Sequence, residues 1–165
     1  MREPFFAAGP AVHCAGMKFT EADFASAALR HIRDAEYLGN PGAHVSRDQA
    51  WHLAGFAHEC ARKACIGGGW VPKMLGHDFS AASEQVVEIA VALDPRAGRF
   101  PVRLWATQYP SVSSWRPEHR YERTGTSEAE EKRSLADLIS QGRAAVDSCI
   151  LALFIDGSLM MDSIL

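Results

Sequence analysis

The sequence predicts an all-α protein, built as an antiparallel up-and-down bundle of four to five helices. Apolar residues recur at helical spacing in several long stretches, and no stretch alternates apolar with polar residues as a half-buried strand does. Burial of these apolar stripes against one another, at about 25 cal/mol per Å² of apolar area, would drive folding. The pattern places helices at about residues 21–38, 47–66, 77–93, 101–108 and 127–156.

Capping patterns and helix-stopping residues justify these helices in turn. A Ser or Thr followed three residues later by an acidic residue or Gln is typical of a helix start. Glycine and proline residues follow the expected ends, and 109–125 is expected to be a polar loop. The capping patterns are Thr20-x-x-Asp23, Ser46-x-x-Gln49 and Ser127-x-x-Glu130.

The composition favours one soluble domain. The chain has 165 residues, of which 47% are apolar and 22% charged, as is ordinary for a globular protein. We predict an irregular N-terminal arm over 1–18 and a single helical domain over 19–165. No clear signal-peptide core and no spanning apolar run is visible, so we expect a cytoplasmic protein with no membrane partner. The net charge of −3 argues against a broad, charge-driven grip on nucleic acid.

The middle of the second helix carries a polar pair with two interpretations. Glu59 and Lys63 stand four residues apart, in the order that favours an exposed ion pair. They could instead form a polar notch, because small neighbours such as Ala54 and Gly55 allow another segment to approach closely. The residues alone leave both interpretations open.

Metal binding and nucleophilic catalysis find little support in the same helix. His58-Glu59 resembles the start of a zinc-protease motif, but Arg62 stands where the second His is needed, and a guanidinium does not ligate zinc. We therefore predict no metal and no other cofactor. Cys60 and Cys65 lie on the side assigned to packing, so they are interpreted as core thiols.

Several short motifs, in this order, resemble proteins of the HEPN family (higher eukaryotes and prokaryotes nucleotide-binding). Many bacterial members look like L-A-G-y-A-x-E-C-x-x-K, then H-D-L, then R-Y before a final long helix. The resemblance covers roughly residues 20–155. The matching residues here are Leu53, Ala54, Gly55, Phe56, Glu59, Cys60, Lys63, His77, Asp78, Arg120 and Tyr121.

The resemblance implies a bundle of four or five helices that is often dimeric. Some family members accompany nucleotidyltransferases, some are proposed to bind nucleotides, and many are RNA-cleaving toxins. We expect a non-catalytic, homodimeric protein that binds a nucleotide or RNA. It would otherwise serve as accessory to a nucleotidyltransferase partner or a toxin–antitoxin system.

A metal-independent ribonuclease is the alternative that the family suggests. Cleaving members carry Arg-x(4 to 6)-His near the start of a late helix, where the His would act as acid and base and the Arg would steady the phosphate. Arg116 and His119 are only three residues apart. Arg47 and His52 have the right spacing but lie in the second helix.

Six residues from three separate segments are the predicted ligand-binding group. In an anion or nucleotide site, their cations would contact phosphate and an aromatic ring would stack on a base. The same residues would otherwise form a structural cluster that fixes loops, and the loop 115–123 would otherwise dock a partner protein. The six are Glu59, Lys63, His77, Asp78, Arg120 and Tyr121.

Overall fold

The computed structural model describes residues 19–40, 46–66, 71–77, 81–121, 134–160 and 162, and these residues form helices and no strand. The predicted all-α class is therefore confirmed. Two short 3-10 helices, Ala97–Arg99 and Pro117–Tyr121, join the α-helices. The α-helices are α1 (Glu21–Gly39), α2 (Arg47–Cys65), α3 (Val71–Leu75), α4 (Ala81–Leu93), α5 (Trp105–Gln108), α6 (Pro110–Ser113) and α7 (Leu135–Asp156).

Three long helices, α1, α2 and α7, form the centre of the molecule. At one end, the backbone of Gly39 in α1 lies beside Ala50 near the start of α2 and Leu135 at the start of α7. At the other end, Arg96 donates hydrogen bonds to Glu21 in α1 and Asp156 in α7. Helix α1 therefore runs antiparallel to α2 and α7, and these two run in the same direction.

Small side chains line one face of α2. Five alanines recur at helical spacing along it, and each is fully buried. Helix α1 presents small buried residues of its own, and α1 and α2 form the most extensive helix pair in the structure. Short side chains bring the two backbones close, so dispersion contacts replace large interlocking side chains. The α2 alanines are Ala50, Ala54, Ala57, Ala61 and Ala64; those of α1 are Ala25, Ala28 and Ala35.

Residues 102–119, which we call the strap, run back along a second face of α2. Val102 contacts Arg62 through its carbonyl, and Trp105 packs 5.8 Å from the ring of His58. Further along, Trp115 lies against Gly55. The strap thus runs antiparallel to α2 and occupies the place where a fourth long helix was expected.

The strap corrects the prediction of a polar loop over 109–125. Val112, Trp115 and His119 are buried, and residues 110–113 and 117–121 are helical. Their burial follows from the glycine at position 55, which leaves room for an indole ring on the surface of α2. Residues 122–125 lie outside the described residues.

The predicted caps fare differently at the three helix starts. Thr20 and Asp23 form the expected capping box, with Thr20 N–H donating to Asp23 at 2.8 Å. Ser46 makes no side-chain capping bond, so that part of the prediction is wrong. Ser127 and the arm 1–18 lie outside the described residues, and α7 as described is capped by Ser134.

Helix α7 is the one helix in the described ranges that is long and apolar enough to cross a membrane by length and composition alone. In the structure, it packs against α1 and α2 through one buried stripe. A core helix of a globular bundle has the same composition, so this observation does not assign a compartment. The stripe consists of Leu138, Ala145, Val146, Cys149 and Leu153.

We predict that Gly55→Ala destabilises the protein by about 3 kcal/mol, because the new Cβ would lie 2.0 Å from Cε2 of Trp115. Helix propensity acts in the opposite direction, since Ala stabilises a helix interior by about 1 kcal/mol relative to Gly. Urea unfolding followed by tryptophan fluorescence measures the difference. The exposed α2 change Gln49→Ala is the control, and a more stable Gly55→Ala protein would contradict the packing.

Candidate functional site

A row of polar side chains follows one face of α2 beneath the surface. His52, Glu59 and Lys63 lie on this face with Phe56 between them, at helical spacing. Glu59 is 5% exposed and Lys63 is 9% exposed. The interpretation of Glu59 and Lys63 as an exposed surface pair is therefore wrong, and the polar notch is the observed arrangement.

Glu59 is the centre of the first polar group, which we call the Glu59 cluster (Glu59, Lys63 and His77). Lys63 Nζ donates to Glu59 Oε1 at 2.6 Å, and His77 Nδ1 lies 2.7 Å from Oε2. A buried carboxylate is costly unless charged donors satisfy it, and here each oxygen has one. The cluster also ties the end of α3 to α2, since His77 follows α3 directly.

Arg120 and Tyr121 belong to a different place. The Arg120 guanidinium lies over the Tyr121 ring, 4.7 Å from its centroid, and that ring is 77% exposed. Their 3-10 helix packs beside the first turns of α2, where Trp51 Nε1 donates to His119 Nδ1 at 3.2 Å. The structure thus divides the predicted group of six into two parts, and Asp78 lies outside the described residues.

The four catalytic candidates converge on one end of α2. His52 and His119 are buried, whereas Arg47 and Arg116 are exposed. Burial, followed by the nearby His119, lowers the pKa of His52. Two Arg/His pairs that the sequence suggested separately are thus adjacent in space. Trp115, which was expected to be available for stacking, is buried against Gly55.

A third polar group, centred on Arg62, was not expected from the sequence. Its guanidinium donates to the carbonyl of Val102 at 2.9 Å and to Glu84 at 2.5 Å, and it lies over the Trp105 ring. This group fastens α4 and the strap to α2. The spacing of Trp51, Gly55, His58 and Arg62 on one helical face is the signal that could have indicated a second buried face.

Cysteine chemistry and metal binding find no support at these sites. Burial, with Glu59 as the next contribution, raises the pKa of the Cys60 thiol to about 12, so it is protonated at neutral pH. Cys65 and Cys149 are buried in the core. The described part of the chain contains no group of three His, Cys, Asp or Glu side chains placed to hold a metal ion.

Comparison with known proteins assigns neither a family nor a function. No family model, no curated protein and no solved structure matches this chain. The HEPN resemblance therefore rests on its short motifs and their order, and the function has to be argued from the geometry of the site.

We predict that stability falls as the pH drops below neutrality, because burial lowers the pKa of His58 from 6.5 to about 3. Between these values the unfolded chain binds a proton that the folded protein excludes, which costs roughly 1.4 kcal/mol per pH unit below 6.5. Burial also lowers the pKa of His31 and His52, so they act in the same direction.

Urea unfolding of the wild type and of His58→Phe at pH 7 and pH 5 measures this effect. The variant keeps a ring of similar size and removes one titrating group, so its stability should lose less on acidification. Equal losses in the two proteins would contradict the assignment of His58 as a neutral, buried ring.

Proposed function

We propose that the protein binds the phosphate groups of a nucleotide or of single-stranded RNA. The site is the basic end of the molecule, which consists of Arg47, Arg116, Arg120 and Tyr121. The observation that supports this most strongly is the exposed Tyr121 ring with the Arg120 guanidinium stacked over it. Such a surface offers a flat face to a base and forked N–H donors to a phosphate.

The position of these side chains supports the same interpretation. Arg116 and Arg120 are exposed on either side of the buried His119, which fixes their 3-10 helix against Trp51. Arg47 lies one helical turn before Trp51 on the same face of α2. Asp48 and Glu118 lie in the same turns and temper the local positive charge, so we expect affinity that falls steeply with salt.

The Glu59 cluster is less suited to hold a phosphate. Lys63 donates to a carboxylate and is 9% exposed, so its charge is already balanced. Binding an anion there would leave Glu59 buried beside a second negative charge, at a cost of several kcal/mol. We therefore place phosphate recognition at the basic end and not at Lys63.

We further propose that the chain is a HEPN-like, up-and-down bundle that acts in the cytoplasm without catalysis. In this proposal it forms a homodimer and assists a nucleotidyltransferase or a toxin–antitoxin system. The order of the HEPN-like motifs supports this, as do the close α1–α2 pair and the final long helix α7. A docking role for the loop 115–123 would have to use Arg116, Arg120 and Tyr121, because Trp115 and His119 are buried.

We predict that Arg120→Ala weakens binding of a fluorescently labelled single-stranded RNA and lowers its salt dependence. Losing one phosphate contact should reduce the slope of log K against log salt by about 0.7. Tyr121→Ala should cost about 1–3 kcal/mol of binding, and Tyr121→Phe should not, since the stacking face remains. Fluorescence anisotropy at several salt concentrations measures these changes.

The matched control is Arg103→Ala, which removes the same charge from the exposed Arg103–Glu88 pair beside Val102, well along the strap from the basic end. This control should keep the wild-type salt slope. Equal weakening by Arg120→Ala and Arg103→Ala would show that only net charge matters and would contradict the assigned site.

The second candidate function is metal-independent RNA cleavage, and the adjacency of His52 and His119 is the observation that favours it. RNA incubated with the protein and a chelator would then be cut, and both His52→Ala and His119→Ala would abolish cutting. The control His31→Ala should cleave normally. Cleavage that survives in both His variants would eliminate this function.

A further inference from the structure

His77 stands in an arrangement that neither phosphate binding nor folding requires. Its side chain is 55% exposed, yet its Nδ1 atom is held by the buried Glu59 carboxylate. Because a carboxylate that also accepts from Lys63 can only accept, Nδ1 must carry the proton. The lone pair of the neutral ring therefore resides on Nε2, the ring nitrogen that does not face Glu59.

From this geometry we propose that His77 is a nucleophilic histidine that accepts a phosphoryl group on Nε2, with Glu59 and Lys63 as positioning residues. A fixed tautomer removes the need for the ring to rearrange before it reacts. The edge of the Phe56 ring, 6.0 Å away, restricts rotation of the imidazole. The substrate class is a small, activated phosphoryl donor.

The balance of the step uses only groups named here and the donor. With phosphoramidate, the Nε2 lone pair forms a bond to phosphorus while the P–N bond of the donor breaks and ammonia leaves. The ring then carries a positive charge together with its Nδ1–H, and the Glu59 carboxylate balances that charge through the existing hydrogen bond. The Lys63 ammonium keeps Glu59 ionised, because it donates to the other carboxylate oxygen.

The other described histidines lack this combination of features. His58 is fully buried, and His52 and His119 are almost so. His31 is half-buried, and its Nδ1 atom has no hydrogen-bond partner. Among the described residues, only His77 therefore joins an exposed ring to a carboxylate that fixes its tautomer.

The test is to incubate the full chain with phosphoramidate and to follow acid-labile phosphorylation by intact mass and peptide mapping. A synthetic peptide of residues 71–85, which has His77 without Glu59, is the reference. We expect His77 in the folded protein to react about tenfold faster than in the peptide. A rate equal to or below that of the peptide would overturn the proposal.

Two further measurements separate positioning from mere folding. The imidazole ¹⁵N shifts of the wild type should show hydrogen on Nδ1 and a lone pair on Nε2; the opposite tautomer overturns the proposal without any variant. Glu59→Gln, checked for its fold by circular dichroism, should slow labelling to the rate of the peptide, and unchanged labelling would also overturn it. Arg120→Ala should label normally, so this proposal can fail independently of phosphate binding.

Discussion

The contact of Trp115 with Gly55 is the constraint on which the rest of the structure depends. An indole ring lies directly on the α2 backbone, where any side chain would collide with it. That contact holds the strap along α2, while the alanine face of α2 packs into the core with α1. Helix α2 is thereby covered on most sides, and thirteen of its nineteen residues are buried.

Covering α2 turns its polar residues into buried groups that need partners. Arg62 finds Glu84 and the carbonyl of Val102, and Glu59 finds Lys63 and His77. These bonds join α4, the strap and the end of α3 to one helix, so charge satisfaction and chain topology support each other. The groups left at the surface are the ones with functional potential: the ring of His77, and Arg120 with Tyr121.

The long helices could be predicted from the sequence because each has a strong apolar period and a clear boundary. Helix α1 matches its prediction to within one residue, and the Thr20 capping box forms as expected. The strap could not be predicted in the same way. Its buried tryptophans are separated by Pro, Ser and Arg in short helical turns, and no period marks them.

The site was predicted in part for the same physical reason. Glu59, Lys63 and His77 meet because helical spacing and a short connection bring them together. Arg120 was expected with them, but the strap delivers it about one and a half to two helical turns from Glu59, roughly 10 Å along α2. Burial of Arg62 and His58 depends on a tertiary contact with Trp105, which the local sequence does not encode.

Hydrogen exchange resolved by peptide tests the central claim most directly. If Trp115 holds the strap on α2, the amides of residues 50–64 should be the slowest to exchange in the chain. The strap amides that are bonded within its short helices should open together with each other at a lower free energy. Exchange of α2 as fast as that of the partly exposed α4 would contradict the account, because a helix covered on most sides cannot open before one at the surface.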